Sequence, residues 1–241
     1  MGKEYKGGQA GKSTRKMAAK RRSADWFIGI VIFIVAIVIC ILVNNPKFFG
    51  IGGAGVLLLL VLIYILPNFL DKIYKKGYKE EKRAVRGAIA EEKIGELLAG
   101  LSEDFYVLHD IVSPYGNIDH IVISKQSGVF LLETKAHGGK VNVINDTLLV
   151  NGKPPEKDFI GQALRNAYWL RDEINKVIGT KPWITPVIVF TNAFVISTKP
   201  IKGVFIINKK YLLNILHKQS RINPTNTSVW ESREKIGGTL V

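Results

Sequence analysis

Asp119, Glu133 and Lys135 are the residues of this chain whose types and spacing could do chemistry together. Glu133-Thr134-Lys135 ends the apolar run Gly128-Val129-Phe130-Leu131-Leu132, and Glu133 stands 14 residues after Asp119 in Asn117-Ile118-Asp119-His120-Ile121-Val122-Ile123. Side chains alternate along a strand, so Glu133 and Lys135 share one face. If the two runs pair as a hairpin, the start of one lies beside the end of the other, and Asp119 approaches Glu133. Two carboxylates a few ångströms apart repel unless a cation sits between them. Hard oxygen ligands suit Mg²⁺ or Mn²⁺. A metal and a water held beside a phosphodiester is the chemistry such a trio supports. A competing account stays open: Glu133 and Lys135 cap an edge strand and face solvent, and Asp119 is a turn residue bonding its own backbone.

Two further side chains join the candidates. Glu91 lies at helical spacing on the line of Ile94, Gly95 and Leu98, close to a core face, whereas Glu92 lines up with Glu96 on a more solvated one. Gln162 sits beside an apolar stripe early in a later helix, where it could bond a phosphate or a ligand carboxylate; taken alone it reads as an ordinary surface glutamine. His109, His120, His137 and His217 have no zinc-site spacing, and His120 faces away from Asp119. Gly138-Gly139 reads as a turn. No phosphate-cradling glycine loop is present.

The elements that must position these residues follow from periodicity. Ala90, Ile94, Leu97, Leu98 and Leu101 recur as on a helix. Strands are expected at 105–112, 118–124 and 128–135, with shorter ones over 140–150 about a turn at Asn145-Asp146. Asp158 can cap a helix running to about Ile178, with Ala163, Ala167, Leu170, Ile174 and Val177 on one stripe. Pro186 to Phe190 is the all-apolar run of a central buried strand. Val204 to Ile207 gives another strand and Lys209 to His217 a short helix. This order argues an α/β fold, a mixed sheet with helices on both faces. The soluble domain is expected over 87–220 and a loosely ordered tail over 221–241.

The first third of the chain is different. Residues 26–43 and 48–66 each carry no charge, and each is long enough to cross a hydrocarbon core of about 30 Å at about 1.5 Å per residue. With the turn Asn44-Asn45-Pro46-Lys47 between them, they read as a transmembrane helical hairpin over 26–66. Residues 1–25 form a basic, disordered arm and 67–86 a charged connector. Residues 1–86 hold 16 basic and 5 acidic side chains. The positive-inside rule therefore places both termini and the soluble domain in the cytoplasm, with a lipid bilayer as partner. The net charge of +14 is mostly this flank: residues 87–241 hold 18 basic and 15 acidic side chains, so the high charge is no sign of a nucleic-acid surface. Cys40, the only cysteine, lies in the first span, which excludes disulfides from the soluble part. Gly50, Gly52, Gly53 and Gly55 hint at close helix packing in a homodimer.

Gly87-Ala88-Ile89-Ala90-Glu91-Glu92-Lys93, the Asp119 block, the Glu133-Thr134-Lys135 block, Gln162 and Phe190-Thr191-Asn192, in that order, resemble the NERD domain. NERD is the nuclease-related domain of the PD-(D/E)xK superfamily. The resemblance runs from about Gly87 to Asn192. Ala90 stands where that family often has glycine, and Ile118 where the wider superfamily often has proline. The resemblance implies a restriction-endonuclease-like fold and metal-dependent hydrolysis of phosphodiester bonds, with DNA the expected substrate. In that scheme Asp119, Glu133 and the Thr134 carbonyl hold Mg²⁺ (or Mn²⁺), and Glu91 completes the shell. Lys135 orients or deprotonates the attacking water, and Gln162 supports the site. Two other functions compete: a nucleic-acid-binding module that does not cleave, and a membrane scaffold that binds a protein partner.

Overall fold

A computed structural model of the protein describes residues 9–17, 19, 29, 30, 33, 36, 37, 53–196, 199–217 and 227–241. Of residues 53–74, only Tyr64 and Lys72 are described with their side chains. The chain forms two compact units, one of residues 1–13 with 86–241, the other of residues 14–85.

In the second unit the described residues are helical, with Ile30, Phe33 and Ile37 exposed. Among the described residues no helix is long and apolar enough to cross a membrane. Most of the expected spans 26–43 and 48–66, and the glycines of the expected dimer contact, fall on residues or side chains outside the described residues.

The first unit is built on a six-stranded mixed sheet. Helix α1, Gly53–Ala99, enters this unit at Arg86. Three antiparallel strands follow: β1 Phe105–Ile111, β2 Ile118–Ser124 and β3 Gly128–Ile144. Strand β4, Thr147–Val150, folds back on the far end of β3 through Asn145 and Asp146, whose positive φ angles of 48° and 57° suit a tight hairpin. Helix α2, Phe159–Ile178, then returns the chain to β5, Ile184–Val195, which lies parallel between β3 and β6, Phe205–Asn208. The expected central strand at Pro186–Phe190 is thus central.

Local chemistry explains α2. Asp158 accepts the Gly161 amide at 2.8 Å and caps the N-terminus, while Gly179 closes the other end at φ 73°. Ala167, Leu170 and Ile174 of its apolar stripe are buried against β1, β2 and β3 with Leu108, Ile121, Ile123 and Leu131, while Ala163 packs with Phe159, Ile188 and Phe190. Each fully buried Leu or Ile is worth roughly 1.5–3 kcal/mol. The opposite sheet face packs Val122, Phe130, Leu132, Val187 and Val189 against Ile94 and Leu98 of α1 and Leu212 and Leu216 of α3, Leu212–His217. This α/β sheet flanked by helices fits a restriction-endonuclease-like fold.

Three expectations need correction. Gly138-Gly139 is no turn: β3 runs through it, paired in parallel with Asn192 and Ala193 of β5 past a bulge between Lys135 and Gly138, with Gly139 at φ 89°. The tail is not loose over 227–241, where α4, Thr227–Glu231, and α5, Arg233–Leu240, bury Val229 and Ile236 in the same cluster as α2. Nor does the domain begin at 87 and end at 220. Residues 9–13, expected in a disordered arm, pack within this unit, and residues 12–17 are helical.

Candidate active site

The hairpin of β2 and β3 pairs Ile123 with Val129 and Ile121 with Leu131, and both pairs face α2. Counting on by alternation puts Asp119 and Glu133 on that same face at the open end of the hairpin. There the strands splay, and the Thr134 amide donates to the Asp119 carboxylate.

Glu133 is only 2 % exposed, so its charge needs partners. Lys135 Nζ donates to Glu133 Oε2 at 3.1 Å. Asn166 Nδ2, from the middle of α2, donates to Glu133 Oε1 at 3.3 Å. The Lys135 ammonium also lies 4.8 Å from the Phe159 ring centroid, at the start of α2. It keeps 15 % exposure and can still meet a molecule arriving from solvent.

Asp119 is held differently. Its carboxyl pKa is raised well above the usual range, first by loss of solvent, then by the negative charges of Glu133 and Glu91. Lys135 and the Thr134 amide oppose the shift without cancelling it. The pocket is therefore short of positive charge.

Of the residues singled out in the sequence, Asp119, Glu133, Thr134 and Lys135 come together here. Glu91 is within electrostatic reach of Asp119. Gln162 turns its amide toward the turn before β2: a Cβ at Gly116 would lie 3.7 Å from Gln162 Nε2. Among the described residues the Gln162 side chain has no hydrogen-bond partner. No group of three or more His, Cys, Asp or Glu side chains among the described residues gathers closely enough to hold a metal. The oxygen set is thus two carboxylates beside a backbone, with Glu91 further out. Its uncompensated negative charge and hard oxygen donors fit a divalent cation such as Mg²⁺.

Sequence reasoning missed Asn166. It is fully buried, and its Oδ1 lies 2.7 Å from Ser113 Oγ. That hydroxyl is also 2.6 Å from Gly116 O and accepts the Tyr115 amide at 3.1 Å. Asn166 therefore ties Glu133 to the turn that leads into Asp119. Its signal was an amide inside the apolar stripe Ala163, Ala167, Leu170, where a polar side chain must have a buried partner.

His120 does not join the site. Its ring is fully buried on the far face of β2, with Nδ1 2.8 Å from Nδ1 of His109. Burial and the neighbouring ring push its pKa down to about 3. His137 packs on Phe159 and Phe190.

Against this geometry, comparison with known families matches the model of the nuclease-related domain, NERD, over residues 86–191. Neither the curated proteins nor the solved structures give a match to this chain. The matched span contains every residue of the site described above and ends within β5.

Proposed function

We propose that this protein is a metal-dependent nuclease that hydrolyses phosphodiester bonds of DNA and is anchored to the cytoplasmic side of a membrane. The observation that carries the reading is the convergence of Asp119, Glu133 and Lys135 at one strand end inside the matched nuclease-related segment.

Asp119, Glu133 and the Thr134 carbonyl would hold Mg²⁺, with Glu91 behind them. Bound there, the ion would acidify a water and neutralise the charge that builds on the phosphoryl oxygens. The chain's own groups do the rest. Lys135, fixed by Glu133 and the Phe159 ring, presents N–H donors to the attacking water or to a phosphate oxygen. Asn166 holds the Glu133 carboxylate so that one oxygen remains turned to Lys135. Gln162 offers its unpartnered amide to the substrate backbone. Membrane anchorage is supported by the uncharged stretches 26–43 and 48–66, by the basic residues around them, and by exposed Ile30, Phe33 and Ile37 at helical spacing.

One observation favours a second reading, a nucleic-acid-binding module that does not cleave. The Lys135 ammonium already neutralises Glu133, so half of the site is satisfied without a cation. The test is incubation of the full-length chain with plasmid, linear and single-stranded DNA and RNA, in Mg²⁺, Mn²⁺ or EDTA, with Lys135→Ala alongside. Cleavage that needs the cation and disappears in the variant supports the nuclease. Salt-sensitive binding by a folded wild type that never cleaves supports the binding module.

A further inference from the structure

The N-terminal segment makes contacts that the hydrolytic reading leaves unused. Gly11 is buried with φ at +74°, and a Cβ there would lie 3.0 Å from Ala88 O and 3.3 Å from Glu92 Cγ. Only glycine meets both demands without strain. The fit is reciprocal: a Cβ at Gly95 would lie 2.9 Å from the Ala10 side chain. The segment is folded into a turn by Lys12 N donating to Gln9 O at 3.0 Å. The Ser13 amide then donates to Asp110 Oδ2 at 3.0 Å.

Both landing points belong to the site's supports. Ala88, Glu92 and Gly95 surround Glu91 on α1. Asp110 lies between the pairs His109–His120 and Ile111–Ile118, which sets it opposite Asp119. Its other oxygen accepts Asn117 Nδ2 at 2.9 Å, two residues before Asp119. Asp110 also holds φ at 55°, a conformation that costs a non-glycine residue on the order of 1 kcal/mol and persists where surrounding contacts impose it. Residues 9–13 thus pack against α1 on one side and are hydrogen-bonded to the neighbour strand of Asp119 on the other.

We propose that residues 9–13 are a strap of the catalytic domain, which seats on the Ala88–Gly95 face and on Asp110 and so fixes Glu91 and Asp119 relative to each other. A second consequence follows from connectivity. The chain leaves this unit at Thr14 and re-enters it at Arg86. A segment whose two ends lie in one domain crosses a bilayer an even number of times, if at all. The strap therefore rules out a single span: any crossings between residues 14 and 85 come in pairs. The role in positioning rests on the nuclease reading; the docking itself does not.

Hydrogen exchange on the full-length chain tests it, compared with a chain lacking residues 1–13 and with Gly11→Leu. The strap requires at least tenfold faster exchange at amides 88–98 and 117–119 in both variants, with α2 unchanged. It also requires recovery on adding a peptide of residues 5–17 in trans. Unchanged exchange at 88–98, or a uniform loosening that includes α2 and ignores the peptide, overturns the strap. In cleavage assays the deletion lowers kcat at least tenfold with little change in KM, and the peptide restores it. A wild type that never cleaves rejects the nuclease while the exchange data still decide the docking.

Discussion

Asp119 is the residue on which site and stability pull in opposite directions. Its carboxyl pKa is raised by lost solvent and by two carboxylates, so the folded state holds a proton more tightly than the unfolded chain. That contribution to stability is full below the unfolded value of about 3.8 and is lost as pH rises through the folded value. At neutral pH, without a cation, the carboxylate is a burden. Asp119→Asn is expected to raise the melting temperature of metal-free protein by a few degrees, and to abolish the further rise that millimolar Mg²⁺ gives the wild type. Differential scanning fluorimetry with and without EDTA reads both. His109 and His120 work with the opposite sign, since both pKa values are lowered by burial, that of His120 to about 3. Their contribution is full above about pH 6.5 and drains away toward pH 3, on the order of a few kcal/mol at about 1.4 kcal/mol per unit. In Asp119→Asn, where the opposing effect of Asp119 is gone, the urea midpoint should fall steadily from pH 7 to pH 4; a flat profile contradicts the assignment. Asn166→Ala removes the donor to Glu133, and a drop in kcat of roughly 10–100-fold is expected, with recovery in Asn166→Gln if its amide reaches. Asp119, Glu133 and Lys135 were legible because strand alternation fixes their faces. Asn166 was not, because its partner is 33 positions away and is set by how α2 lies on the sheet.

At the scale of elements, β3 and the C-terminal helices differ most from expectation. β3 was read as ending near Lys135, since two glycines weaken a strand. In the fold β5 supplies backbone partners on both sides of the bulge, and that long-range pairing outweighs the local preference. α4 and α5 were illegible for another reason. They are short, interrupted by polar residues, and bury only Val229, Ile236 and Gly237. The signal was a pair of apolar residues seven apart, too sparse to distinguish from a loose tail. Their packing is nonetheless with the cluster that seats α2. Ile236→Ala is expected to destabilise the domain by about 2–4 kcal/mol, as a buried isoleucine truncation does. A shift in denaturant midpoint at unchanged slope measures it. α2 itself was legible almost to the residue, because Asp158 and the apolar stripe agree on its limits.

For the whole molecule, the basic charge belongs to the N-terminal third, and residues 87–241 carry a net charge of only +3. Electrostatic attraction to a long polyanion draws on many phosphate contacts. On the proposed reading, a nearly neutral domain therefore depends on the local groups at the strand end. The sequence made the α/β class and the site's trio visible through period-two patterning. It hid the return of residues 9–13 to the domain, because a Gly- and Lys-rich segment has no periodicity to read. The most direct measurement is cleavage of DNA by the full-length chain in Mg²⁺, with Glu133→Gln and Lys135→Ala matched for folding by circular dichroism. The account predicts cation-dependent cleavage in the wild type and a loss of at least a hundredfold in both variants. Cleavage that persists in both variants, or that continues in EDTA, contradicts it.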